Sequence, residues 1–309
     1  MSKIYTPLLF ALLLTYVHKA IAQTTADTIT VKNLPDKDTV SKDELRKISS
    51  FKIGIDYLSN NVFLGRTTLS TTPVISPDVK YTFKSGVFIS GALNYLPKNT
   101  IQKLDGGNVS AGVDLDLTDN LSSELSFTKL LYSANSTQIG ASVSSTFNGN
   151  LTYDIGNVIT PSISANYSIN KQGIKNDIIL SFALTHDFII ENAFAEKDLI
   201  LISPSITANA GTQNFYDAYL TRRVFKNAKR TAAQNLLVTE FEKKVNQLKL
   251  LDYELSLPVE YKAGHFIFQF TPTYAIVENQ IKSQAVAKAL GIVRNTSVFY
   301  FNAGVTYTF

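Results

Sequence analysis

The sequence predicts an all-β chain: a closed antiparallel transmembrane β-barrel of about twelve strands, with a short helix in a long extracellular loop. Three observations carry this expectation. Apolar and polar residues alternate with a period of two from Phe51 onward, short connections alternate with longer ones, and the last strand ends on the aromatic Phe309.

The alternation is the primary signal. Phe51, Ile53, Ile55 and Tyr57 alternate with Lys52, Gly54 and Asp56, and Val109, Ala111, Val113, Leu115 and Leu117 with Ser110, Gly112, Asp114 and Asp116. Successive side chains of a strand point to opposite faces, so each segment has one apolar and one polar face. In the longest run, Ile139, Ala141, Val143, Phe147, Leu151, Tyr153 and Ile155 share one parity. The same rhythm places strands at 51–59, 74–83, 86–96, 107–117, 121–132, 138–155, 158–169, 176–189, 199–210, 251–261, 265–277 and 296–309. Pro161, Pro204 and Pro272 fall on the apolar parity and Pro258 on the polar one. Each removes a ladder hydrogen bond and is expected at a bulge or strand end.

The connections sort into two classes. Lys84 to Gly86, Thr118 to Asn120, Gly156-Asn157, Ile190 to Asp198 and Lys262 to Gly264 are mostly tight turns, while Gly211 to Leu250 and Glu278 to Asn295 are the longest of the others. Short periplasmic turns and longer extracellular loops are the two rims of an outer-membrane barrel. A secreted β-sandwich would alternate equally well, since one face of each strand packs inward. Its strands average about five or six residues, whereas a tilted membrane strand needs about 9 to 11, which these segments match. Tyr81, Phe83, Tyr95, Tyr153, Tyr167, Phe188, Tyr261, Phe266 and Tyr307 also lie near segment ends, where interfacial girdles belong.

Composition agrees with this architecture. The chain is 45% hydrophobic with a mean hydropathy of +0.04, too apolar for disorder. Cysteine is absent and Met1 is the single methionine, which excludes disulfides, a thiolate metal site and a lipid-modified N-terminal cysteine. No cofactor is expected.

The N-terminus reads as an export signal. Lys3 gives a positive n-region, Leu8 to Val17 an apolar core, and Ala20-Ile21-Ala22 a small-x-small cleavage pattern, although His18 and Lys19 are polar for that position. The apolar run is too short for a spanning helix, which needs about 20 residues. Without Lys3 and Lys19, the 29 basic residues fall to 27 against 25 acids, so the mature chain carries a formal +2 and implies no nucleic-acid partner. The expected organisation is a signal peptide at 1–22, a polar periplasmic extension at 23–50 and the outer-membrane barrel at 51–309. Ser41 and Glu44 have capping-box spacing, so a short helix is possible in the extension, which otherwise reads as a linker.

At the other end, Phe299, Phe301, Ala303, Val305, Tyr307 and Phe309 form an unbroken apolar face against Asn302, Gly304, Thr306 and Thr308. This resembles the terminal-strand signal that the barrel assembly machinery of bacterial outer membranes reads, with Val305, Tyr307 and Phe309 as the signal residues. The stretches Asp252-Tyr253-Glu254-Leu255-Ser256-Leu257-Pro258 and Phe270-Thr271-Pro272-Thr273-Tyr274-Ala275-Ile276 look like the closing hairpin of uncharacterised, porin-like outer-membrane barrels of Bacteroidetes. The resemblance covers roughly the last sixty residues and implies fold and location, with no catalytic residues to carry over.

Function is sought on the polar parity. Lys52, Asp56, Asp78, Lys80, Asp114, Asp116, Glu124, Asp154, Asp177, Asp252, Glu254 and Glu260 are the candidate lumen-lining residues, and acids dominate them. Charges lining a pore select the opposite sign, so a conducting barrel is expected to prefer small cationic solutes. The alternative is a filled, non-conducting structural or surface-binding barrel. The segment that could fill it or bind lipid contains Arg222, Arg223, Lys226, Lys229, Arg230, Lys243 and Lys244, with Ala233, Leu237, Phe241, Val245 and Leu248 on one helical stripe. Inside, it would meet the acidic wall; outside, the anionic head groups of outer-membrane lipid and lipopolysaccharide. An enzyme is disfavoured: beyond His18, the histidines are His186 and His265, and neither has a serine two residues along its strand.

Overall fold

The computed structural model describes residues 48–67, 71–99, 103–156, 158–171, 174–216, 236, 239, 243–279 and 296–309. Twelve antiparallel strands close into a barrel. They are β1 (Ser50–Leu58), β2 (Val74–Thr82), β3 (Val87–Tyr95), β4 (Leu104–Asp116), β5 (Leu121–Tyr132), β6 (Val143–Tyr153) and β7 (Thr160–Asn170). The remainder are β8 (Asp177–Thr185, continued as Phe188–Glu191), β9 (Leu199–Ile202 and Ser205–Gly211), β10 (Lys249–Ser256 and Val259–Ala263), β11 (Phe266–Val277) and β12 (Ser297–Thr308).

Neighbours in sequence are neighbours in the sheet, and β12 pairs with both β11 and β1. The closing register runs from Lys52↔Thr308 to Leu58↔Asn302. Phe309 donates its N–H to Phe51 O at 2.9 Å, and the Phe51 and Phe309 rings lie 5.5 Å apart. Closure pairs the backbone groups that an open edge would leave unsatisfied in lipid.

Burial is inverted relative to a soluble core. Ile53 and Ile55 are 43% and 47% exposed while Gly54 between them is buried, and the exposed Ile163 is flanked by buried Ser162 and Ser164. The interior is polar and cross-linked from strand to strand. Ser110 bonds Thr128 at 2.8 Å, Ser181 Oγ donates to Asn209 Oδ1 at 2.6 Å, and Asn148 Nδ2 donates to Asn166 Oδ1. The inward Phe88 lies across Gly112, where any side chain would collide with its ring, and Lys80 Nζ sits 4.0 Å from that ring's centroid.

Two details differ from the sequence reading. The run 138–155 is not one strand: Ile139–Ser142 form a 3-10 turn, and the register shifts between Val143 and Ser145. The bulge flips the parity. Ile139, Ala141 and Val143 are therefore buried at the barrel mouth, while Phe147, Leu151, Tyr153 and Ile155 face outward and are exposed. The segments 176–189, 199–210 and 251–261 are each interrupted, at 186–187, 203–204 and 257–258. Pro204 and Pro258 lie in these gaps, and Pro161 is the second residue of β7, as their missing N–H groups require. Pro272 instead sits within β11, in register with Phe301. Its carbonyl accepts from Leu257 N at 3.1 Å, so its nitrogen also faces the β10 interruption and no bond to β12 is lost.

Residues 1–47, which include the expected signal peptide, the capping box and nearly all of the polar extension, lie outside the described residues.

Candidate functional site: a capped mouth above an acidic inner wall

The strand ends that bound 59–73, 96–103, 133–142, 171–176, 212–248 and 278–296 share one rim, and those that bound the tight turns share the other. At the long-loop rim, Val62–Phe63 and Arg66–Thr67 pair as a two-residue ribbon. Leu64 and Gly65 make its turn with φ of +50° and +70°, the twist that suits a two-residue hairpin. A leucine there is strained by roughly 1–2 kcal/mol. Burial of its side chain offsets this, since Leu64 is 1% exposed.

The ribbon tip enters an apolar cluster. Phe63 and Leu64 pack with Leu130, Ile139, Val143, Ile179, Phe215, Val245 and Leu251, and the Phe63 and Phe215 rings meet edge to face at 4.6 Å. These residues come from β5, β6, β8, β10 and three connections, so the cluster ties the mouth together from several sides.

Arg66 fixes the ribbon. Its guanidinium donates to Leu64 O at 2.5 Å, Leu251 O at 2.7 Å, Glu278 O at 3.0 Å and Gln213 Oε1 at 3.1 Å. Its planar fork suits several fixed acceptors at once. Burial lowers the guanidinium from its ordinary value, and the nearby Asp252 carboxylate acts in the opposite sense.

Two buried carboxylates anchor the surrounding loops. Asp105 accepts from Ser133 Oγ at 2.8 Å, Ser136 Oγ at 2.5 Å and Gln138 Nε2 at 2.8 Å. Asn61 Nδ2 donates to Gln138 Oε1 at 3.3 Å, which joins the ribbon loop to this network. Asp177 accepts from the backbone N–H of Asn214 at 2.7 Å and of Phe215 at 2.8 Å, and from Thr212 Oγ1 at 2.6 Å. Its expected place on an open lumen is thus replaced by a structural one: both oxygens hold residues 212–215 against the mouth.

The other acidic candidates occupy three places on the inward parity. Asp56 and Asp78 lie against Gly304 and Gly54, with Lys52 and Lys80 on the same pair of strands, and Asn302 Nδ2 donates to Asp56 Oδ1 at 3.0 Å. Asp114 faces Glu124 across β4 and β5, with Asp116 next along the face and Asp154 beyond β6 at the tight-turn rim. Asp252, Glu254 and Glu260 are all buried on β10. These three places are distinct, and the structure does not gather the acids into one ring.

Of the basic segment, Arg222, Arg223, Lys226, Lys229, Arg230, Ala233, Leu237 and Phe241 lie outside the described residues. Its ends are both at the mouth: Lys243 and Lys244 are exposed, Val245 is buried in the cluster, and Gln213 N donates to Val245 O at 2.7 Å. Leu248 is 56% exposed and leaves the expected apolar stripe because the helix stops at Val245. His186 and His265 each place Nδ1 against a backbone carbonyl, that of Val158 and that of Thr308.

Sequence reading missed the ribbon and Arg66. The available signal was Val62-Phe63-Leu64, an apolar triplet inside a connection, which a solvated loop has no reason to carry.

No protein-family model matches the chain, and no curated protein matches it. Among solved structures it is similar to the KdgM porin, at 9% identity with a TM-score of 0.44, over 84% of this chain and 99% of that one. The NanC porin gives 11% identity and a TM-score of 0.43, over 83% of this chain and 98% of that one. LpxR from Salmonella typhimurium gives 10% identity and a TM-score of 0.39, over 83% and 99%. Residue roles do not transfer at such identities, because one fold hosts many functions.

Proposed function

We propose that the protein is an outer-membrane channel, a porin-like pore for small, preferentially cationic solutes, exported with cleavage after Ala22. The observation that supports this reading best is the polarity reversal across one closed wall. An outer surface of exposed Ile, Leu, Val, Phe and Tyr suits hydrocarbon, and an inner surface of Ser, Thr, Asn, Asp and Glu suits water. The acids of the inner wall supply the sign of the selectivity. The outer surface is the lipid partner's side, and Val305, Tyr307 and Phe309 on the closing strand are the surface offered to the assembly machinery.

Purified protein in a planar bilayer tests this. Ohmic single-channel steps are expected, with a reversal potential in a salt gradient displaced toward the cation equilibrium potential. Anion selectivity, or no current from either the full chain or a chain lacking the cap, overturns it. The second reading, a non-conducting structural or surface-binding barrel, is favoured by the cap itself, whose apolar cluster is as buried as a soluble core.

A further inference from the structure

We propose that Thr207, Asn209, Asp252 and Glu254 form a binding site for one small monovalent cation, an ammonium group or an alkali-metal ion. Thr207 is directly opposite Glu254, and Asn209 opposite Asp252, across β9 and β10. The four side chains share the inward parity and make a two-by-two tile. Each is buried: Thr207 1%, Asn209 0%, Asp252 0% and Glu254 8% exposed.

Two of the tile's polar atoms have well-formed hydrogen bonds. Asn209 Oδ1 accepts from Ser181 Oγ, and Glu254 Oε1 accepts from Tyr300 OH at 3.2 Å. Others do not. No well-formed hydrogen bond reaches either carboxylate oxygen of Asp252 or Oγ1 of Thr207, all of them buried, and the polar side chains beside the Asp252 carboxyl are Asn209 and Glu254. Buried polar groups are nearly always partnered, so such a concentration points to a ligand.

Charge specifies that ligand. When both are ionised, Asp252 and Glu254 carry two negative charges, against the one positive charge of Arg66 that acts on Asp252. Four of the guanidinium N–H groups go to Gln213 and three carbonyls, and with both carboxyls ionised one negative charge is left over. An uncompensated buried carboxylate is costly. A single proton would engage one oxygen and leave the remaining Asp252 oxygen and Thr207 as they are. An ammonium group brings three donors and an alkali ion takes several oxygen ligands, so either satisfies the Asp252 oxygens and Thr207 Oγ1 together. A divalent ion would overshoot the charge.

The site rests on the cation-preferring reading above for the solute class it names. It is tested by binding instead of current, so a silent barrel can pass and a conducting one can fail. The full mature protein in detergent is unfolded thermally in choline chloride, with methylammonium chloride or potassium chloride substituted at constant ionic strength. At a hundredfold excess over Kd, a saturable rise in Tm of about 5 °C is expected with at least one of them. Which salt works separates an organic from a metal occupant. Asp252→Asn should abolish the rise, and Asp119→Asn, in an exposed tight turn, should keep it. Should Asp252→Asn not fold, Thr207→Val carries the same comparison, with the rise weakened at least severalfold. A wild-type Tm that responds to pH but to neither salt means a proton alone occupies the tile and overturns the proposal, as does a rise that Asp252→Asn retains.

Discussion

The two ends of the barrel solve the same backbone problem in opposite ways. At the tight-turn rim, polar groups are satisfied within each turn or by the next strand: Phe83 N to Val87 O at 2.7 Å, Leu117 N to Leu121 O at 2.9 Å, Ile155 N to Ile159 O at 2.9 Å. At the long-loop rim the partners are remote in sequence. Arg66 alone reaches Gln213, Leu251 and Glu278, which are 147, 185 and 212 positions away. A local rim survives the loss of one member, whereas a remote network fails together. The mouth, not the wall, is therefore where a single substitution should have the widest effect.

The largest effect is expected from Arg66→Ala. It leaves three carbonyls and Gln213 without their donor and removes the buried charge facing Asp252, a class of change worth about 3–5 kcal/mol. Limited proteolysis of folded protein in detergent should show the connection 59–73 newly cleavable while the strands stay protected. A cleavage pattern identical to wild type would show that the apolar cluster alone holds the ribbon.

A smaller loss is expected on the wall. Phe127 faces outward at the middle of β5 and packs on Phe147 at 4.9 Å. Phe127→Arg should cost about 2–4 kcal/mol in lipid vesicles, as a cation placed at the bilayer midplane does. The loss should be smaller for Ser126→Arg on the opposite face. Equal urea midpoints for the two variants would contradict the assignment of faces.

The wall was legible in the sequence because its physics is local. A period of two fixes which residues face lipid, and neither Ile163 nor Ser164 needs knowledge of its neighbour strand to be placed. The mouth was not legible, because its residues obey no period. Phe63, Ile139, Phe215 and Val245 converge from three connections, and the parity flip at Val143 arises from a bulge that alternating Ile139, Ala141 and Val143 conceal. The acids show the same division. Parity put Asp177 and Asp252 on one face, but only the fold distinguishes Asp177, whose oxygens are engaged by residues 212–215 and Asn170, from Asp252, which no well-formed hydrogen bond reaches.

The smallest effect belongs to the tight-turn rim. Burial favours the neutral form of Asp198, but donation by the Phe194 and Ala195 backbone N–H groups and by Tyr261 OH outweighs it and holds the carboxyl below its usual 3.8. A group with a depressed folded pKa contributes stability above its unfolded pKa and loses it as pH falls through the folded one. Protection of the Phe194 and Ala195 amides, taken against the intrinsic exchange rate at each pH, should therefore be high above about pH 4 and fall below it, with the mouth amides unaffected over the same window. A simultaneous fall at both rims would mean that the two ends are coupled.

The cap's role in conduction is decided by single-channel recording in planar bilayers on three proteins: the full chain, a chain with residues 60–71 replaced by a short Gly-Ser connection, and a chain lacking residues 222–242. With the ribbon as the closure held by Arg66, its replacement should raise conductance severalfold and preserve cation selectivity. Current unchanged on ribbon replacement but opened by deleting residues 222–242 would contradict this and make the basic segment the plug.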